Sequence, residues 1–225
     1  MVRRIGFLTI GQSPRVDVLD DIKPYINTNV KIVECGALDD FTYSEVVEKL
    51  SPELGHMIYV TRMRDGTQVK ISKEKIIPLI QKCIYKLQNR DVDLIIILCS
   101  GEFPEFGSKT PIIYPSKLLK SFAEAFYVSG SVGILIPIEE QISYAKKKWG
   151  SIFSDLYIRA ISPYRSSLEE FKQVALDLMD KDVKLAILDC IGYSIRHKQV
   201  VKEVLSKPVI SARTVVIRAI NELYE

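Results

Sequence analysis

Short apolar runs alternate with amphipathic stretches along the whole of this chain, and that alternation leaves few folds open. Ile5–Ile10, Val30–Cys35, Leu94–Cys99, Val132–Pro137, Leu156–Ile161, Leu185–Cys190 and Pro208–Ser211 read as strands. The stretches 15–25, 44–50, 72–88, 115–126, 139–149, 166–179, 194–205 and 214–223 read as helices. Continuous apolar strands separated by helices build βα units and parallel sheets. One interruption stands out: Met57–Arg62 and Thr67–Ile71 flank Met63-Arg64-Asp65-Gly66, and Asp-Gly between β-like runs predicts a hairpin. After the first strand, Ser13-Pro14 predicts a helix start with serine as N-cap and proline in the first turn.

The plan runs twice. A loop rich in proline and glycine, residues 101–115, separates the two passes, so two α/β domains are expected. Residues 1–112 with 209–225 would form the first and 113–208 the second, because the short strand 208–211 has no helix left to join unless the chain crosses back to the first domain. Each pass contains a strand ending in cysteine with a glycine two residues later: Leu98-Cys99-Ser100-Gly101 and Asp189-Cys190-Ile191-Gly192. Strand ends of this kind are where open α/β sheets place ligands.

Composition sets outer limits. A hydrophobic content of 47% and a charge content of 26% describe an ordinary globular chain, and a net charge of +3 with scattered basic residues gives no nucleic-acid footprint. The run Ile5–Ile10 is too short for a signal-peptide core, and no stretch is long enough for a membrane span, so a cytoplasmic protein is expected. Four cysteines without a C-x-x-C pair predict free thiols, with Cys83 on the apolar face of a helix. Two histidines, His56 and His197, leave little for a histidine-based metal site or a serine triad, and neither a dinucleotide fingerprint nor a P-loop is present. No metal and no cofactor are expected.

Matched thiols suit acid/base work on one carbon, one removing a proton while the other delivers one. A thiol must be partly ionised to act as base, and its pKa of about 8.5 falls near cations and backbone N–H donors. Both cysteines are expected to precede a loop that leads into a helix, which would supply such donors. The turn Gly11-Gln12-Ser13-Pro14-Arg15 offers an anion site, with a hydroxyl and a guanidinium, against the plainer reading of helix capping. Ser100, Gly101, Ile191, Gly192 and Tyr193 follow the thiols and are candidate substrate contacts. Arg62, Arg64 and Asp65 on the hairpin, with Glu102, are candidates for a lid or a supporting shell, and the hairpin is also a candidate contact with a second copy of the chain. Asp189, on the opposite face of its strand from Cys190, is expected to bond neighbouring protein groups.

Several of these segments together resemble the AroM family: Gly11 to Arg15, Arg62-Met-Arg-Asp-Gly-Thr-Gln-Val69, Cys99-Ser-Gly-Glu-Phe103, and Leu188-Asp-Cys-Ile-Gly-Tyr193 followed by Arg196-His197. AroM proteins in turn are similar to the aspartate/glutamate racemase superfamily, whose members include amino-acid and hydantoin racemases, maleate isomerase and arylmalonate decarboxylase. The resemblance implies two pseudo-symmetric α/β domains with an active site between them. It places Cys99 and Cys190 on the two racemase cysteine positions and Gly11 to Arg15 on the turn near the substrate. Where racemases follow the first cysteine with Asn-Thr and the second with Thr, this chain has Ser100-Gly101 and Ile191-Gly192. The expected function is therefore a cofactor-independent isomerase or racemase that uses the two thiols as an acid/base pair on a small carboxylate, the altered residues after each cysteine counting against an α-amino acid. The alternatives are a non-catalytic anion-binding protein and a thiol-dependent carbon-carbon lyase.

Overall fold

A computed structural model describes residues 2–26, 29–126 and 128–224. The chain divides into two compact units, residues 1–115 with 224–225 and residues 116–223. In the first, β1 (Arg3–Thr9), β2 (Val30–Gly36), β5 (Leu94–Leu98) and β6 (Ile112–Ile113) form a sheet in the order β2-β1-β5-β6, and all neighbours are parallel. Helices α1 (Val16–Ile22), α2 (Tyr43–Leu50) and α3 (Lys73–Gln88) connect them, with the hairpin β3 (Ile58–Arg62) and β4 (Gln68–Ser72) inserted between α2 and α3.

The second unit opens with α4 (Pro115–Glu124) and continues through β7 (Val132–Ile136), α5 (Ile142–Trp149), β8 (Leu156–Ala160), α6 (Leu168–Asp180), β9 (Leu185–Leu188), α7 (Ile195–Leu205), β10 (Val209–Ser211) and α8 (Ala212–Tyr224). Its sheet runs β8-β7-β9-β10, again wholly parallel and in the same order of first, second, third and fourth strands as the first unit.

Local chemistry explains the elements. β5 and β7 are buried along their whole length, as expected of inner strands covered on both faces. On α3, Ile76, Ile80, Cys83, Ile84 and Leu87 recur at helical spacing and make one buried stripe. Capping boxes start α2 at Thr42/Glu45, α6 at Ser167/Glu170 and α7 at Ser194/His197. The first core gathers Leu8, Leu38, Val46, Ile71, Ile80 and Ile97, the second Leu135, Phe171, Leu178, Leu188 and Val201.

Four expectations need correction. Residues 209–223 belong to the second unit: Ile210 pairs with Ile187 of β9, so the last strand finds its partner without crossing back. The proline-rich loop also contains β6, two residues long and too short to show a period. Ser13 is not a helix cap. Asp39 takes both its N–H and its hydroxyl, and α1 begins only at Val16 with Arg15 in the cap position. Finally, Cys35 and Cys83 are disulfide-bonded, their Cα atoms 5.8 Å apart, because α3 lays its apolar stripe against β2. Cys99 and Cys190 remain as free thiols. Among the described residues no helix is long and apolar enough to cross a membrane.

Candidate active site

Each free thiol stands at the C-terminal end of an inner strand. Cys99 directly follows β5 and Cys190 lies just beyond β9. In both sheets that strand is the neighbour of the first strand, while the second strand lies on the first strand's other side. The chain thus winds away in opposite directions from β1 and β7, and the thiols sit at the resulting topological switch points, where α/β sheets open a crevice. Both side chains touch their cores yet keep slight exposure, 9% for Cys99 and 8% for Cys190.

The two sulfurs receive the same contact. The N–H of Gly101 donates to Cys99 Sγ over 3.3 Å, and the N–H of Gly192 donates to Cys190 Sγ over 3.4 Å. A donor two residues on, aimed back at sulfur, stabilises the thiolate more than the thiol. Each glycine is also crowded by a tyrosine. A Cβ on Gly101 would lie 2.5 Å from Tyr59 Cζ, and one on Gly192 would lie 2.7 Å from the Tyr164 hydroxyl. The Tyr59 hydroxyl donates to the Glu102 carbonyl over 2.8 Å and fastens the turn from outside. This crowding gives a physical reason for glycine at both positions.

Next to Cys190 in the chain, Asp189 is buried and paired: the Lys148 ammonium bonds both of its oxygens at 2.9 and 2.8 Å, and the Trp149 indole N–H donates to one of them at 2.8 Å. Asp189 therefore serves the packing, as its strand position predicts. Arg213, at the start of α8, donates from Nε to the Ile191 carbonyl at 3.0 Å and from Nη2 to the Gly192 carbonyl at 3.1 Å. Sequence reading missed both Lys148 and Arg213, since neither stands near a cysteine in the chain.

The Gly11–Arg15 turn is braced within the first unit, its donors bonded to carboxylates, carbonyls and the Thr9 hydroxyl. Asp39 accepts from Ser13 N and Oγ and from Gly36 N at 2.6, 2.7 and 2.8 Å. Arg15 Nε and Nη2 donate to the two oxygens of Asp17 at 2.8 Å each, Nη1 to Thr9 Oγ1 at 3.1 Å, and the Arg15 N–H to Glu34 at 2.7 Å. Gly11 N also donates to Thr9 Oγ1, at 3.1 Å. The Gln12 amide donates to the Leu38 and Phe41 carbonyls and accepts from Arg64 N.

The hairpin is tied to the same turn. Arg64 Nε donates to the Ser13 carbonyl at 2.6 Å, and Arg62 lies 3.5 Å from Asp17 while donating to the Gly66 carbonyl. Asp65 accepts from Thr67 N inside the hairpin turn, which lowers its pKa, and so acts as a turn residue. Tyr193 is likewise internal: its hydroxyl donates to the Ile161 carbonyl at 2.8 Å and its ring packs edge-on against Phe171. Burial first, then the charges of Cys190 and Asp189, holds its phenol well above the usual tyrosine range, so it remains a neutral donor. Its side chain is fully buried. Among the described residues no cluster of His, Cys, Asp or Glu is arranged to hold a metal ion.

The fold is similar to those of solved racemases and related enzymes. Unliganded arylmalonate decarboxylase matches with a TM-score of 0.63 at 13% identity, covering 99% of this chain and 92% of that one. Allantoin racemase from Klebsiella pneumoniae matches with a TM-score of 0.62 at 13% identity over 98% and 87%. A maleate isomerase from Pseudomonas putida S16, solved with maleate, matches with a TM-score of 0.59 at 15% identity over 97% and 90%. At such identities the likeness is one of fold. No curated protein sequence matches. The AroM protein family model spans residues 5–224, nearly the full chain, and the protein belongs to the AroM family.

Proposed function

We propose that this protein is a cofactor-independent isomerase or racemase of small carboxylates, with Cys99 and Cys190 as its acid/base pair. The observation that carries the reading is the matched setting of the two free thiols: each at a switch point, and each with a glycine N–H directed at sulfur. A thiolate removes the proton from the carbon next to the carboxylate, and the C–H electron pair moves into the carboxylate to give an enediolate. The second thiol then delivers its proton to the opposite face, and the electron pair returns to carbon. One thiol and one thiolate exchange states, so atoms and charge balance without an added reagent.

The carboxylate is held by the Ser100 hydroxyl and by the backbone amides of Ser100 and Ile191, whose dipoles stabilise the charge that builds on the enediolate oxygens. Ser13 and Arg15 shape the neighbouring turn instead, their donors being engaged by Asp39 and Asp17.

A panel of small chiral carboxylic acids incubated with the protein in heavy water tests the reading. Deuterium should enter at the reacting carbon of at least one acid. The rate should fall by about a hundredfold or more in Cys99→Ala and in Cys190→Ala, the usual worth of a positioned acid or base. No exchange across the panel, or variants that exchange as fast as the parent, would overturn it.

A further inference from the structure

The peptide between Ile191 and Gly192 faces two partners at once. Its carbonyl accepts from Arg213 Nε at 3.0 Å, and its N–H donates to Cys190 Sγ at 3.4 Å. A trans peptide is planar with C=O and N–H pointing oppositely, so whatever fixes the carbonyl also aims the N–H. The guanidinium fixes the next carbonyl too, that of Gly192, at 3.1 Å, and Tyr193 N closes the turn on the Cys190 carbonyl at 3.2 Å. Arg213 itself is 1% exposed. Such a site is costly for a guanidinium unless its hydrogen bonds are made.

We propose that Arg213 is the positioning residue of Cys190, holding and polarising the Ile191–Gly192 peptide so that sulfur rests as the thiolate. A cation on the carbonyl draws electron density through the amide and strengthens the N–H as a donor. The fold delivers the arginine there by register. Ser211 of β10 pairs with Leu188 of β9, so the residues that follow the two strands leave the sheet side by side.

The other ionisable groups around Cys190 do not supply this cation. Lys148 is paired with Asp189 at 2.8 Å. Tyr164, next to Gly192, and Tyr193 are phenols. His197 of α7 stacks on Phe171 at 4.1 Å and accepts from Ser194 N through Nδ1. The meaning of the proposal for catalysis rests on Cys190 acting as base.

Site-resolved alkylation by iodoacetamide against pH, with both thiols quantified by mass spectrometry and no substrate present, tests it. Wild-type Cys190 should titrate below the free-cysteine value of about 8.5. Arg213→Met should move that titration up by about one unit, an approximately tenfold loss of rate near pH 7. Arg213→Lys, which keeps the charge but not the fork, should fall between, and the Cys99 profile should stay where it was. A wild-type Cys190 that titrates at or above about 8.5 overturns the proposal without any variant. So does an unmoved Cys190 in Arg213→Met, or a Cys99 shift of the same size. Should Arg213→Met fail to fold, the wild-type value and Arg213→Lys decide. Thiol titration needs no turnover, so its failure is distinct from failure of the deuterium experiment.

Discussion

Gly101 and Tyr59 are in such close approach that the glycine has no room for a side chain: a Cβ would lie 2.5 Å from Tyr59 Cζ and 2.8 Å from its hydroxyl. Because the Gly101 N–H is the donor to Cys99, stability and thiol chemistry are coupled at this point. Gly101→Ala should therefore cost about 1–3 kcal/mol, the usual range for overpacking a close-fitted site. In a urea-unfolding cycle with Tyr59→Ala, the double variant should lose less than the sum of the singles, since removing the ring removes the clash. Additive losses would mean that the ring does not set the glycine.

The Lys148–Asp189 pair should behave as a buried ion pair whose halves depend on each other. Lys148→Met leaves a buried carboxylate without its cation and should destabilise by about 3–5 kcal/mol. Replacing both residues with apolar ones of similar volume should recover most of that loss, as read from denaturant midpoints. A single variant as stable as the parent would contradict the pairing.

At the start of α2, Glu45 accepts from the Thr42 N–H and hydroxyl and from Lys49, and its pKa is lowered to about 2 from the usual 4.5. A carboxyl whose folded pKa is depressed adds stability above its unfolded pKa and loses it as pH falls through the folded value. The Glu45 contribution is thus full above about pH 4.5 and fades between there and about pH 2. Glu45→Gln should flatten that part of the stability curve while leaving the neutral limb parallel to wild type. An unchanged acid limb would show that the capping carboxylate does not titrate with folding.

Closing the 48-residue span between Cys35 and Cys83 should stabilise the chain by about 4 kcal/mol on the chain-entropy account. Oxidised protein unfolded without reductant should show two reactive thiols and reduced protein four. Cys83→Ser should lower the unfolding midpoint in the oxidised protein and leave no reductant dependence. Four thiols without reductant would contradict the bond.

How much of this was legible beforehand follows from the range of each interaction. The strands ending at Cys99 and Cys190 were legible because a buried parallel strand writes a continuous apolar run, and glycine marks its end. The hairpin was visible from Asp65-Gly66, but Arg64 reaching the Ser13 carbonyl was not, because 51 positions separate them. Cys35–Cys83, Asp39–Ser13 and Arg213–Ile191 fail the same way: no local spacing records which distant segments the sheet brings together. The return of 209–225 was misread because a three-residue strand carries too little pattern to name its sheet. In the loop expected to lead from Cys99 into a helix, the short strand β6 went unread for the same reason.

In the proposed isomerisation two thiols serve opposite faces of one carbon. Its most direct test takes the acid that exchanges, supplies it as one pure enantiomer in heavy water, and follows deuterium in each enantiomer at early conversion. Two distinct acid/base groups predict that the product enantiomer carries deuterium while recovered substrate keeps its protium, and that Cys99→Ala and Cys190→Ala each abolish the interconversion. Deuterium entering both enantiomers equally from the first turnovers, or interconversion that survives either substitution, would contradict the paired-thiol account.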